Sequence, residues 1–276
     1  MPHVNLNGQK IYYEDTGGDG PAVVFSHGFL MDHAMYHAQV ETLRPRFRCL
    51  SFDQRGFGLT NGDGKPFTFW DSAQDLLDLM AHVGISKAAL VGLSQGAFIS
   101  MRAALLAPER VTALVLIATR SGLDTDEQNE NFRQLAKEWL QNGSANVEQM
   151  LSSLLIGDER HASAWMSKWR NMERDSLVLP VNALVERDDF TPRLHEIAAP
   201  TLVVHGSNDI GIDVSHGRNL AADIKNANFV EIEGAGHAPP VTHAAETSQA
   251  IQRFLDGLPG ALLQTMRRET AASGSI

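Results

Sequence analysis

The segment Gly92-Leu93-Ser94-Gln95-Gly96 restricts the architecture of this chain more than any other stretch. An apolar, strand-like run, Ala88-Ala89-Leu90-Val91, precedes it, and a helix-like run over residues 97–106 follows. Strand, sharp turn and helix, in that order, form the setting in which Gly-x-Ser-x-Gly lifts a serine hydroxyl above the edge of a sheet. Glycine at 92 and 96 lets the two backbones approach where a Cβ would interfere. The same five residues also fit an ordinary strand-to-helix turn that happens to hold a serine, so their meaning depends on the rest of the chain.

Strand and helix patterns alternate around this motif. Residues 4–6 and 10–14 form a hairpin pattern across Asn7-Gly8. Short apolar runs at 22–25, 47–52, 88–93, 111–117, 201–205 and 228–232 suit strands buried on both faces. Helical spacing of apolar residues is clear at 72–82, weaker at 34–43, and returns at 214–224 and 244–255. The pattern predicts an α/β fold with a mostly parallel eight-stranded sheet and helices on both faces. Over residues 119–194 the strand pattern stops, and helical-looking segments carry Trp139, Trp165, Trp169, Met150, Met166 and Met172. No linker marks its ends, so it reads as a helical insertion into one domain made of residues 1–118 and 195–260. The tail, 261–276, is expected to be partly disordered, its last residues being small and polar.

Composition excludes several classes. A length of 276 residues suffices for a large core without disulfide or metal staples. A net charge of −10 argues against nucleic acid, which needs clustered Lys and Arg. The single cysteine, Cys49, sits in an apolar run and reads as a buried strand residue. The N-terminus lacks the basic start and apolar stretch of a secretory leader, and the run at 111–118 is too short to span a bilayer. A cytoplasmic protein without membrane insertion is expected; self-association is compatible with the sequence.

A serine alcohol is a weak nucleophile and needs a base, which in turn needs an orienting acid. Both follow in the order a sheet hydrolase uses, each one short glycine-containing loop after a strand: Asp209 in Gly206-Ser207-Asn208-Asp209, and His237 in Gly236-His237-Ala238. Parallel strands end at one edge, where Ser94, Asp209 and His237 would converge. Asp124 and Asp126, shortly after the strand at 111–117, are the alternative acids. Developing oxyanion charge needs fixed N–H donors. Gln95, directly after the serine, supplies one, and Phe29, in Ser26-His27-Gly28-Phe29-Leu30, the other. His27 is expected to brace that loop. His33 and His37 share i, i+4 spacing but lack the glutamate of a zinc-protease motif, and Gly17, Gly18 and Gly20 do not form a phosphate loop. No metal and no cofactor are expected.

The five segments Ser26-His27-Gly28-Phe29, Asp53-Gln54-Arg55-Gly56-Phe57-Gly58, Gly92 to Gly96, His205 to Asp209, and Gly236-His237 together resemble the α/β-hydrolase superfamily over about residues 4–258. Within it the chain is most similar to small cofactor-free esterases and enol-lactonases. The resemblance implies that 119–194 forms a helical lid and that 188–200 is the return to the core. Thr60 departs from the serine many relatives carry there. The expected reaction is hydrolysis of a small carboxylic ester or lactone through an acyl-enzyme, with Phe29, Leu30, Leu123, Trp139 and Trp165 around the acyl group. The same triad would serve carbon–carbon cleavage of a β-diketone or perhydrolysis, and a small-molecule sensor on this fold is the non-enzymatic alternative.

Overall fold

The computed structural model describes residues 2–260, so the tail at 261–276 lies outside the described residues. Eight strands form one sheet: β1 (His3–Leu6), β2 (Gln9–Asp15), β3 (Ala22–Ser26), β4 (Arg48–Phe52), β5 (Ala88–Leu93), β6 (Val111–Ile117), β7 (Thr201–Gly206) and β8 (Ala227–Ile232). Their order is β1-β2-β4-β3-β5-β6-β7-β8. β1 and β2 are the antiparallel hairpin, turned by Asn7 and Gly8, both with positive φ, and β2 also runs antiparallel to β4. From β4 to β8 every pairing is parallel.

The runs without polar alternation are the central strands, and β3, β5, β6 and β7 are buried along their whole length. Their successive side chains feed two cores. Val23, Phe25, Ala89, Val91 and Val115 pack on one face, and Val24, Leu50, Leu90, Leu114 and Leu116 on the other. This is the two-residue period of a strand covered on both sides. Cys49 is among the buried residues of β4, and burial, then the Asp15 charge, pushes its thiol up to about 12. It is inert as a nucleophile at neutral pH.

Helices α1 (His37–Leu43), α2 (Phe69–His82) and α3 (Gln95–Leu106) fill the first crossovers. The pattern at 34–43 resolves into a 3₁₀ turn over His33–Tyr36, capped by the Asp32 carboxylate, followed by α1. α2 begins before Ser72 because Thr68 and Asp71 form a reciprocal capping box. Between β6 and β7 come α4 (Asp126–Asn142), α5 (Glu148–Leu155), α6 (Glu159–Arg170) and α7 (Val178–Val185); α4 packs on α7 and α5 on α6. α8 (Val214–Asp223), α9 (Pro239–Thr242) and α10 (Ala244–Asp256) follow within the described residues. Among the described residues no helix is long and apolar enough to cross a membrane.

The turn from β5 into α3 is the tightest point of the fold. Ser94 adopts φ 51° and ψ −110°, a conformation L-residues rarely take. It is held by Ser94 N–H donating to the Ile117 carbonyl at 2.8 Å and by the Ala97 N–H donating to the Ser94 carbonyl at 3.0 Å. A Cβ on Gly96 would lie 2.0 Å from the Ser26 carbonyl oxygen, and one on Gly92 2.3 Å from the Gly96 carbonyl oxygen. Both neighbours are backbone and cannot swing aside. Gly96→Ala is therefore expected to destabilise the fold by about 3 kcal/mol or more. A denaturant melt with an unchanged midpoint would contradict this packing.

Candidate active site

The loops after β5, β7 and β8 open at the same edge of the sheet. In the loop after β7, Asp209 is anchored by its own backbone turn: its Oδ1 accepts the Gly211 N–H at 2.8 Å and the Ile212 N–H at 2.9 Å. Its Oδ2 faces His237 Nδ1 at 2.8 Å and His205 Nε2 at 3.2 Å. The loop after β8 is pressed against it. Asn208 N–H donates to the Ala235 carbonyl at 2.9 Å, and a Cβ on Gly206 would strike that carbonyl oxygen at 2.3 Å. Because an ionised carboxylate only accepts, His237 Nδ1 carries the proton and Nε2 is left with a free lone pair.

Burial alone would raise the Asp209 pKa. The electrostatic pull of the adjacent His237 ring, the bonds from His205 and His237, and the Ile212 N–H outweigh it and hold the carboxyl well below the usual carboxylate range. His205 was not singled out as a site residue in the sequence, yet it touches the acid directly. Its Nε2 lies 2.8 Å from the Ile212 carbonyl as well, so it faces two acceptors and is the protonated nitrogen. A histidine ending an otherwise apolar strand was the available signal.

Ser94 is half-buried, and its hydroxyl has no hydrogen-bond partner among the described residues. Such contacts are often long in a resting site and tighten with substrate. Asp124 is turned elsewhere. It binds Arg187 at 2.7 Å and Arg120 at 3.1 Å, while His237 Nδ1 faces Asp209. Asp126 opens α4, where a carboxylate favours the helix N-terminus.

Gln95 and the loop at 26–32 meet beside Ser94. The Gly28 Cα backs onto Leu93, where a Cβ would lie 2.4 Å from Leu93 Cδ2. Met31 N–H donates to the Gly28 carbonyl at 3.1 Å and closes a turn containing Phe29 and Leu30. His27 sits beneath it, with Nδ1 2.8 Å from the Gly28 carbonyl and Nε2 accepting the Gln54 N–H at 2.9 Å. Burial pushes the His27 pKa down despite the nearby Asp53 charge, so the ring stays neutral and braces the loop. Gln54 adds a link the sequence did not reveal: it accepts from the Gln95 side chain at 2.6 Å and donates to Ser26 Oγ at 3.1 Å and to the His27 carbonyl.

The residues expected around the acyl group separate. Phe29 is buried in an aromatic cluster with Phe57 and Phe132. Leu30 and Trp165 wall an open cleft of about 880 Å³, together with Arg55, Phe57 and Lys168. The other two, Leu123 and Trp139, line neither this cleft nor the second one. Leu123 is 49 % exposed, on a loop whose backbone is turned by Arg187 binding the Gly122 carbonyl. Trp139 is fully buried among the helices of the insertion, because α4 turns its apolar stripe toward α7. A second cleft, of about 580 Å³, reaches His237 between Leu154, Met166, Asn208 and Ile210. Ser94 lines neither cleft.

Asp32, His33 and Asp53 bring ligand atoms within 4.8 Å of one another. Their donors and acceptors already have partners. Asp53 accepts the His33 backbone and ring N–H groups and the Leu59 N–H, and Asp32 holds Lys168 and the Ala34 N–H. The trio therefore reads as a loop clamp. His37 is exposed and does not join it.

The depressed Asp209 pKa has a stability consequence. A carboxyl with a folded pKa below its unfolded value contributes stability that is in place above roughly pH 4 and is lost as pH falls toward the folded pKa. Asp209→Asn should make the melting midpoint fall less steeply than in wild type below roughly pH 5. Parallel midpoint-against-pH curves for the two proteins would refute that coupling.

A family profile described as alpha/beta hydrolase fold matches residues 21–244. The chain is 29% identical over 257 residues to a Mycobacterium tuberculosis protein provisionally named non-heme bromoperoxidase BpoC, covering 89% of this chain and 97% of that one. The structure of a thermophilic esterase from Thermogutta terrifontis superposes with a TM-score of 0.87 at 28% identity, over 93% of this chain and 98% of that one. That of an enol-lactonase from Burkholderia xenovorans superposes with a TM-score of 0.86 at 23% identity, over 92% and 100%, a likeness of fold. By its sheet order, its strained serine turn and this match over most of its length, the chain belongs to the α/β-hydrolase fold family.

Proposed function

We propose that the protein is a serine hydrolase that cleaves a small carboxylic ester or lactone through an acyl-enzyme. The observation that carries this reading is the 2.8 Å bond between His237 Nδ1 and a buried, ionised Asp209, at the same sheet edge as the strained Ser94 turn. The likeness to the Thermogutta terrifontis esterase supports the bond type.

Ser94 Oγ attacks the carbonyl carbon while His237 Nε2 takes its proton. The carbonyl oxygen becomes an oxyanion held by the Phe29 and Gln95 backbone N–H groups. As the tetrahedral species collapses, His237 gives the proton to the leaving alkoxide. Water then attacks the acyl carbon as it loses a proton to the same nitrogen; the C–Oγ bond breaks, His237 returns that proton to Ser94 Oγ, and the acid leaves. Asp209 stays ionised throughout, fixes the tautomer and stabilises the imidazolium. His205 and two backbone N–H groups keep the carboxylate aimed.

In this reading the insertion at 119–194 is a lid. α5 lies against the base and acid loops, with Leu154 and the Ile156 carbonyl beside Gly211 and Gly236. Because His237 hands its proton to the leaving oxygen, the cleft that ends on His237 suits the alcohol half of the substrate. Leu30 and Trp165 keep a role on the opposite side of α6. A second reading, peroxide replacing water in the deacylation step, is favoured by the likeness to BpoC. Peracid formation from acetate and peroxide, measured beside ester hydrolysis, separates the two.

The test is hydrolysis of p-nitrophenyl esters from acetate to laurate. Ser94→Ala should lower turnover by about 10⁴-fold or more, and Asp209→Asn by about 10⁴-fold. Undiminished turnover in Ser94→Ala would refute the assignment of the nucleophile.

A further inference from the structure

We infer that Trp169, on α6 of the insertion, is a positioning residue for the oxyanion hole, acting on the Phe29 N–H through two backbone peptide units. The inference rests on the proposed role of that N–H.

Trp169 is 1% exposed, and its indole N–H donates to the Leu30 carbonyl at 2.7 Å. That carbonyl has no other partner among the described residues. The Leu30 carbonyl and the Met31 N–H belong to the same peptide plane, and a trans peptide points them in opposite directions. The Met31 N–H donates to the Gly28 carbonyl at 3.1 Å. The Gly28 carbonyl shares its own plane with the Phe29 N–H. Indole, first peptide, second peptide and oxyanion donor thus form one relay of two rigid plates joined by a hydrogen bond. The far plate has a second hold, His27 Nδ1 on the Gly28 carbonyl at 2.8 Å. Beyond that shared bond, the near plate has only the indole among the described residues.

The near plate also needs that hold. Leu30 sits at φ 59°, in the left-handed region, where a leucine is strained. A loop free to relax would rotate this residue toward negative φ and carry the Met31 N–H away from the Gly28 carbonyl. The same face of α6 reinforces the grip. Lys168 Nζ binds both oxygens of Asp32, at 2.8 and 2.6 Å, and lies 4.4 Å above the Trp165 ring. Residues 165, 168 and 169 are neighbours on one helix face. A lid that only covered the site would need packing here; a buried donor aimed at the strained residue's carbonyl is a different device.

The experiment compares wild type with Trp169→Phe in the full chain, well below the melting temperature. Two readouts are used: kcat and KM on a p-nitrophenyl ester, and inactivation by a fluorophosphonate. In the second, Ser94 Oγ bonds to phosphorus, fluoride leaves, and the serine proton passes to His237. Misaiming one donor should matter less than deleting it, so kcat should fall about tenfold with KM within about twofold, and the limiting inactivation rate should fall in step at unchanged reagent affinity. A lowered melting temperature with wild-type kcat and inactivation rate would overturn the inference and leave Trp169 a packing residue. So would a change confined to KM. If Trp169→Phe does not fold, benzothienylalanine at 169 keeps the shape and removes only the N–H, and the same readouts apply. A wild-type protein that Ser94-directed phosphonate labels but that turns over no ester refutes the ester reading alone; the inactivation rates still decide on Trp169.

Discussion

The distance between three backbones governs this molecule. At the end of β5 the chain turns into α3 so close to β3 that the Gly96 Cα occupies space a methyl group cannot share with the Ser26 carbonyl. That proximity puts the first N–H groups of α3 beside the loop at 26–32 and forces Ser94 out of the ordinary backbone regions. Strain of this kind, of order 1–3 kcal/mol, persists only where the surroundings over-determine it. Here the surroundings are the buried strands on either side and the bond from Ser94 to the end of β6. The helices on both faces keep those strands fixed.

A second regularity concerns buried carboxylates. Asp53, Asp75, Asp124 and Asp209 are all removed from water, and each has donors assigned to its oxygens. Isolated, such charges would be neutralised by protonation or would unfold the site. Distributed as they are, they hold the loops that leave the carboxyl edge of the sheet. Asp53 holds the start of the 3₁₀ turn, Asp124 the first residues after β6, and Asp209 the base. The role of Asp209 differs from the others in the partner it holds: His237 borders the second cleft, and its Nε2 has no partner among the described residues.

The fold was legible because its signals are local. Apolar runs of strand length, the Asn7-Gly8 turn and the order of loops after β5, β7 and β8 each sit within a few residues of sequence. Ser94, Asp209 and His237 could be put forward for the same reason: each lies in a short glycine-containing turn or loop that follows a strand. What sequence did not reveal depends on partners far apart along the chain. Gln54 meets Gln95 across 41 residues, and Trp169 meets Leu30 across 139. The surroundings of Trp139 were not readable because the rotation of α4 is set by packing against α7, which periodicity alone does not fix. Asp209 was preferred to Asp124 because its loop is short; the two arginines that bind Asp124, which sequence did not reveal, come from opposite ends of the insertion.

Those two arginines also decide how the excursion from the sheet is fastened. Arg187, just past α7, reaches back to Asp124 and to the Gly122 carbonyl, while its own helix end supplies the Leu184 carbonyl. The outgoing and returning stretches of chain are therefore clasped to each other a short way above the sheet, and each is also tied to the core, through Thr119 on the Ser94 carbonyl and Asp188 on Arg102 and Trp70. Seen as polymer physics, the long loop between β6 and β7 is closed at its neck, and the entropy of closing it is met there and not by the parallel pairing of Leu114 with Thr201 beneath. The sheet can then register β6 and β7 as though a short connection joined them.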